Sequence, residues 1–310
     1  MKIITYRKDG GPVSTGLVIG EQVWDITDWI AAFPLSDEAE QHHVSAGTLP
    51  PVGGIMRLLQ AGTRALAMLA IHMQKAQTQS QLPSSVCLLK NVKLYAPVPR
   101  PGKIIGVGRN YADHAKETGV APFESPRIIF KMPSSVAAPG AAIARPASVV
   151  KMDFEAELAV VIGGYGKDVA QAQALALVAG YTVLNDLSAR EFQFDISPAQ
   201  TTFAKSMDGF APMGPWLVTA DEIEDPQTLD VLCWLNGAQM QHAQTADMLF
   251  PVATLIAYLS RFMTLEPGDV IATGTPAGIG AFRTPPVYLQ SGDHLRFEVS
   301  RIGSMEHRIS

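Results

Sequence analysis

The chain is short of cysteine, short of charge and without any long apolar run, and each shortage removes a class of protein. Cys87 and Cys233 are the only cysteines in 310 residues. Each stands among apolar neighbours, with no CxxC or comparable spacing, which argues against a thiolate metal cluster and leaves two small buried hydrophobes. No apolar run approaches the roughly 20 residues that a membrane-spanning helix needs. The N-terminus reaches Arg7, Lys8, Asp9 and a glycine pair too soon for the apolar core of a signal peptide, so a cytoplasmic protein with reduced thiols is expected. Charged residues are only 17% of the chain and the net charge is −5, a balance unsuited to holding nucleic acid or anionic lipid. A small-molecule partner fits better. Repeats, low-complexity tracts and charge blocks are also missing. What remains is an ordinary globular composition, 47% hydrophobic and well supplied with glycine and proline, which can bury a core.

Texture changes along the chain. Up to about Asp25, short β-type runs such as Ile3 to Tyr6 and Thr15 to Ile19, separated by glycine turns, predict a small antiparallel sheet. Residues 26–80 hold a polar, loop-like stretch through Gln41 to Ser45, then a helix opened by Gly62 and Thr63, with Leu66, Leu69 and Met73 on one face. The segment Ala96-Pro97-Val98-Pro99-Arg100-Pro101-Gly102 interrupts any regular element and marks a boundary between a unit at 1–95 and a unit at 96–310. Beyond it, strands are expected at Ile104 to Val107, Ile128 to Phe130, Glu157 to Ile162, Tyr181 to Leu184, Val231 to Leu235 and His294 to Val299. Helices are expected at Val169 to Val178 and Met248 to Met263. The fold class is α+β, mostly β, with a smaller N-terminal α/β part.

Acidic residues are the first chemical signal. In Asp153-Phe154-Glu155-Ala156-Glu157-Leu158-Ala159-Val160-Val161-Ile162, three acids alternate with side chains suited to a core. On a strand, Asp153, Glu155 and Glu157 would share one face. A wet strand face would explain them equally well. Asp186, at the end of the apolar run Tyr181-Thr182-Val183-Leu184-Asn185, weighs the other way, because a buried acid needs a partner. Oxygen ligands with no cysteine or histidine cluster suit a hard cation, Mg²⁺ first and Mn²⁺ or Ca²⁺ next, and magnesium leaves coordination positions for a bidentate 2-oxo acid.

The second signal is Gly106-Val107-Gly108-Arg109-Asn110-Tyr111-Ala112-Asp113-His114-Ala115-Lys116-Glu117, which places His114 and Glu117 three apart, able to touch on one helical turn. A carboxylate beside an imidazole orients it and raises its basicity, as a general base acting on water requires. The other histidines, His42, His43, His72, His242, His294 and His307, have no such company and read as structural or exposed.

That string resembles the fumarylacetoacetate hydrolase family, whose small members carry a strand followed by GxNYxxHxxE. The resemblance continues in order through Phe130-Lys131-Met132-Pro133-Ser134-Ser135, the acidic run, Asn185-Asp186-Leu187-Ser188-Ala189-Arg190, and Lys205-Ser206-Met207-Asp208-Gly209-Phe210 with Pro212-Met213-Gly214-Pro215. It ends in Leu265-Glu266-Pro267-Gly268-Asp269 and Thr273-Gly274-Thr275-Pro276. Together these blocks cover roughly residues 100 to 300. The resemblance implies a mixed β-roll catalytic domain, a divalent metal held by Glu155, Glu157 and Asp186, and a homodimer. It gives Asp153 a supporting role and turns Lys205 toward the metal, where it would stabilise an enolate or oxyanion. It assigns Thr275 to the substrate carboxylate, Gln193 to a substrate contact, and Arg109 and Lys131 to a distal substrate group. Glu266 is a turn residue, and Asp113 an N-cap or supporting group.

The expected function is hydrolysis of the carbon-carbon bond of a 2,4-dioxo acid, of acylpyruvate or fumarylpyruvate type, with His114 and Glu117 activating water. Decarboxylation, isomerisation or hydration of a related 2-oxo acid uses the same enolate chemistry, and a catalytically idle metal-binding relative would keep the fold without turnover.

Overall fold

The computed structural model describes the whole chain apart from residues 47–52, 80–82, 84, 120 and 122, so part of the stretch 26–80 lies outside the described residues. A twelve-stranded sheet forms its frame. Ten strands follow one another in the order Val86–Leu88, Gln22–Asp25, Val13–Ile19, Lys2–Lys8, Ala211–Thr219, Val178–Asn185, Ala156–Ile162, Val270–Ala272, Ile104–Gly108 and Arg127–Lys131. Val92–Tyr95 joins beside Lys2–Lys8, and Val136–Ala137 beside Ala211–Thr219. A five-stranded sheet, ordered Ala238–Gln244, Asp230–Leu235, His294–Val299, Gly303–Ile309 and Ala142–Ile143, packs against it. The architecture is α+β, as expected.

Ala156–Ile162 shows why the centre reads as a continuous apolar run. Every residue in it is buried. Alternation sends Leu158, Val160 and Ile162 into a core shared with Phe297 and Leu295 of the second sheet, and Ala159 and Val161 into another shared with Leu58 and Leu69 of the N-terminal helices. Covered on both faces, the strand has no place for the polar alternation of a half-exposed one.

The expected strands all form. The helical expectations need correction in three places. Gln41 to Ser45 is not a loop: Asp37–Ala46 is a helix with Asp37, Glu38 and Glu40 in its first turn, where carboxylates favour the helix dipole, and the Ser36 hydroxyl accepts from the Ala39 amide. It buries Ala39 and leaves a polar surface, which is why its sequence carries so little helical periodicity. Residues 169–178 give a 3₁₀ turn, Gln171–Leu177, before the strand that begins at Val178. Met248 to Met263 shortens to Val252–Ser260 behind Pro251. Gly62–Thr78 is the expected helix, and it buries Leu66, Leu69 and Met73.

Ladder pairing crosses the proline-rich segment. Lys2 stands opposite Val218 and Ile3 opposite Leu17 and Leu217, so the first strand belongs to the same sheet as the later ones. Among the described residues no helix is long and apolar enough to cross a membrane.

Because Leu69 is fully buried in the core shared with Ala159 and Val161, Leu69→Ala should cost about 2–5 kcal/mol. In calorimetry the loss should lower one thermal transition of the whole chain. A separate transition confined to the N-terminal part would contradict this shared core.

Candidate active site

Two neighbouring strands bring the carboxylates together. Ala156 pairs with Asn185 and Glu157 with Leu184, so the start of one strand lies beside the end of the other. The link is tightened by the Asp186 amide donating to the Glu155 carbonyl at 2.9 Å and by the Glu155 amide donating to Asn185 Oδ1 at 3.0 Å. Glu155, Glu157 and Asp186 each offer an oxygen, and these oxygens all lie within 4.8 Å of one another. All three side chains are buried, which rules out the wet strand face.

Such a cluster needs cations. Lys205 Nζ donates to Glu155 Oε2 at 2.9 Å, to Asp186 Oδ2 at 2.6 Å and to Ser188 Oγ at 2.8 Å. Arg190 donates through Nη2 to Glu155 Oε1 at 2.7 Å and through Nε to Asp153 Oδ2 at 2.8 Å. Burial alone would raise the Glu155 carboxyl, but Lys205 and Arg190 outweigh it and hold it well below the ordinary carboxylate range. Lys205 is raised in turn: burial opposes its charge, and Asp186 and Glu155 outweigh burial.

Among the described residues Glu157 pairs with no cation and accepts only from the Gly274 amide, at 2.8 Å. Burial, then the charges of Asp186 and Glu155, push its carboxyl far above the ordinary range. Four buried carboxylates, counting Asp153, face the three buried cations Lys131, Arg190 and Lys205. This all-oxygen set, in which one carboxylate lacks a cation among the described residues and can ionise on meeting one, fits a hard divalent cation.

The expected site residues divide by position. Arg109, His114, Glu155, Asp186, Gln193, Lys205 and Thr275 all line one narrow cavity of about 40 Å³. His114 and Glu117 sit on the helix Ala112–Glu117, with His114 Nδ1 2.7 Å from Glu117 Oε1, while Glu117 Oε2 accepts from the Gly278 amide at 3.0 Å. Thr275 Oγ1 accepts from Gln241 Nε2 at 2.7 Å, and Gln193 Oε1 from Arg190 Nη1 at 2.8 Å.

Lys131 is a correction. Its side chain is fully buried behind the carboxylates, donating to Asp186 Oδ1 at 2.6 Å and to the Leu187 and Lys205 carbonyls, so it balances charge and does not line the cavity where a distal group was expected to meet it. Asp113 is a second correction: it is exposed, paired with Lys116, and Tyr111 takes the N-cap position. Asp153 lies off the shared face, accepting from Arg190 and from the Gly280 and Ala281 amides.

Some supports were not visible beforehand. Fully buried Asn110 donates through Nδ2 to the Thr273 carbonyl at 2.7 Å and to the Phe250 carbonyl at 3.0 Å, fixing the chain just before the His114 helix. Gln241 accepts from the Ala156 amide at 2.9 Å while donating to Thr275, tying the acidic strand to the opposite wall. Asn110 lies inside the GRNYADHAKE string without an expected role, and Gln241 carries no sequence signal: its strand, Ala238–Gln244, was not among those expected. Gly274 adopts φ +102°, and a Cβ there would stand 2.7 Å from Asn110 Cβ, so the amide that reaches Glu157 requires glycine.

Comparison with known proteins agrees with this geometry. The family described as Fumarylacetoacetate (FAA) hydrolase C-terminal matches residues 103–310. A Xenopus laevis protein named as a mitochondrial oxaloacetate tautomerase is 43% identical over 219 residues, 71% of this chain and 69% of the relative. Among solved structures, a fumarylacetoacetate hydrolase from Exiguobacterium antarcticum is 33% identical with a TM-score of 0.77, covering 100% of this chain and 99% of its own. Maleylpyruvate hydrolase from Sphingobium sp. SYK-6, solved with manganese(II) and pyruvate, is 31% identical with a TM-score of 0.76, covering 100% and 98%.

Glu155→Ala should abolish stoichiometric Mn²⁺ binding in titration calorimetry while the fold survives; full retention would refute this ligand set. A second expectation concerns acid. His307 is buried under Asn185, 3.0 Å from its amide nitrogen. Burial, with the His294 charge second, pushes its imidazole down to about 3. An unfolded histidine titrates near 6.5, so between these values the unfolded chain binds a proton that the native state refuses. Stability is therefore lost as pH falls from about 6.5 toward 3, by at most about 5 kcal/mol. Denaturant titrations should show that slope reduced in His307→Gln, and an equal slope would exclude His307 as its source.

Proposed function

The chain belongs to the fumarylacetoacetate hydrolase family, and from that premise we propose a divalent-metal-dependent hydrolase that cleaves a 2,4-dioxo acid between its third and fourth carbons. Acylpyruvates and fumarylpyruvate are the substrate types, and the products are pyruvate and a carboxylic acid. The observation that carries this reading is the His114–Glu117 pair, held at 2.7 Å beside a cavity whose other wall is the carboxylate cluster.

A divalent cation, magnesium by preference, held by Glu155, Glu157 and Asp186 would supply Lewis acidity toward the 2-oxo acid end. The protein's own groups do the rest. With Nδ1–H donated to Glu117, the other ring nitrogen of His114 is left as acceptor for a proton from water. The resulting hydroxide adds to the fourth carbon. The bond between the third and fourth carbons then breaks, releasing the carboxylic acid and leaving its electron pair on the third carbon as the enolate of pyruvate. The Lys205 ammonium, which the site keeps charged, faces the negative oxygen, and the proton taken by His114 returns to the third carbon. Thr275 and Gln193 line the same cavity and would orient the acid. A homodimer, implied by the family, is part of the same reading, and light scattering measures it.

A second reading has its own support. The 43% identity to a protein named as an oxaloacetate tautomerase favours proton transfer between carbon and enol oxygen without attack by water. His114 could move that proton unaided by a hydrolytic step.

The two readings separate in one assay of Mg²⁺-loaded protein against acylpyruvates, fumarylpyruvate and oxaloacetate. Chelator-sensitive release of pyruvate from a dioxo acid supports hydrolysis; loss of the enol absorbance of oxaloacetate with no pyruvate released supports tautomerisation. His114→Ala should lower kcat about 10²–10⁴-fold while Mn²⁺ still binds. Unchanged turnover would remove His114 from the mechanism.

A further inference from the structure

Gln241 is the one buried residue of the strand Ala238–Gln244, which lies at the margin of the five-stranded sheet. The ladder beside it slips: Cys233 faces Gln241 but Trp234 faces Gln239, so Met240 is the extra residue of a bulge. A bulge re-aims the side chains next to it. Here the Met240 carbonyl accepts from Arg283 Nη2 at 2.6 Å, and the Gln241 side chain turns inward to Thr275 on the cavity wall.

Burying an amide is costly unless its groups are matched, and here they are. Gln241 Oε1 accepts from the Ala156 amide at 2.9 Å, while Nε2 donates to the Pro276 carbonyl at 2.9 Å and to Thr275 Oγ1 at 2.7 Å. Two of those partners can play only one part. A backbone N–H donates and a carbonyl accepts, so turning the amide round would set donor against donor at Ala156 and acceptor against acceptor at Pro276. With Nε2 fixed in this way, Thr275 Oγ1 has to accept.

A hydroxyl has one hydrogen to give. Because the Thr275 oxygen is taken up by Gln241, that hydrogen is left over, and among the described residues no acceptor receives it. Thr275 is buried and lines the cavity whose inner end is the carboxylate cluster. Gln193 is arranged alike: its Oε1 accepts from Arg190 Nη1, so the group it has free is its amide NH₂. Both uncharged polar walls therefore hold out hydrogens, which suits a ligand whose oxygens accept.

We propose that Gln241 is a positioning residue that sets the direction of the Thr275 hydroxyl, so that Thr275 meets a ligand as a donor. It also ties that donor to Ala156, the residue between Glu155 and Glu157, and so fixes the donor relative to the carboxylate cluster. This role rests on the reading that the cavity takes a 2-oxo acid, whose carboxylate accepts hydrogen bonds and gives none. It applies equally to hydrolysis and to tautomerisation, because both begin with the acid bound.

Binding tests this without turnover. The probe is pyruvate, added to the protein at saturating Mn²⁺ and followed by the relaxation of water protons. Thr275→Val keeps the shape, removes the hydroxyl and should raise the pyruvate Kd about tenfold. Gln241→Met, which fills the same space without a donor, should raise it about threefold or more. In the Thr275→Val background the same Gln241→Met change should have no further effect, because a residue acting through Thr275 has nothing left to act on. Gln241→Glu, which keeps the size and the acceptor for Ala156, goes through the same cycle and should give the same pattern, so the test survives if one variant fails to fold. A residue that only supported the fold would weaken pyruvate by the same factor in both backgrounds. That outcome, or an unchanged Kd in Thr275→Val or in both Gln241 variants, overturns the positioning role and leaves the 2-oxo acid reading intact. Failure of the unaltered protein to bind pyruvate overturns that reading and the role with it.

Discussion

Three carboxylates brought within 4.8 Å of one another inside a protein cannot stay there unaided. Each buried charge loses hydration, and each repels the other two. The local structure is organised around answering that repulsion. Lys205 answers for Glu155 and Asp186, Arg190 for Glu155 and Asp153, and Lys131 for Asp186 from behind. Only Glu157 is left with a backbone amide alone, and its carboxyl is the one driven far upward. The imbalance is what makes the cluster receptive to a divalent cation, since full neutralisation by lysine and arginine would leave nothing for a cation to do.

The same charges also fix the walls. Asp153 spends its remaining lone pairs on the Gly280 and Ala281 amides, and Glu117 uses its second oxygen on the Gly278 amide. One loop is thus hung from the supporting acid on one side and from the partner of His114 on the other, and it carries Ile279 and Phe282 into the cavity. Glu117 therefore orients both the imidazole and the wall facing it. This kind of double use is how a short helix can hold a base in place with few packing contacts of its own.

The strands were legible because strand periodicity and runs of β-branched residues are local signals, and so was the grouping of the acids with Asp186, because a carboxylate ending an apolar run is anomalous on its face. The His114–Glu117 pair was legible for the same reason: three residues on one helical turn is a local distance. Lys131 was misassigned because its partner, Asp186, is 55 positions away, and no local pattern distinguishes a lysine that balances buried charge from one that meets substrate. The helix Asp37–Ala46 was missed because it buries so little that its apolar spacing is nearly absent. Gln241 and Asn110 act through hydrogen bonds to residues 85 and 163 positions distant, and sequence spacing carries no trace of such bonds. The ligand assignment among the acids came from family resemblance; strand alternation alone would have put Asp153 beside Glu155 and Glu157, where the chain instead breaks its pairing after Asp153.

A centre built this way separates two decisions. The inner end, where four buried carboxylates face three buried cations, is an arrangement that under either proposed reading would serve an enolate, for hydrolysis and tautomerisation alike. The two proposed readings part at one requirement: hydrolysis needs a water against the His114 imidazole, and tautomerisation needs only the imidazole itself.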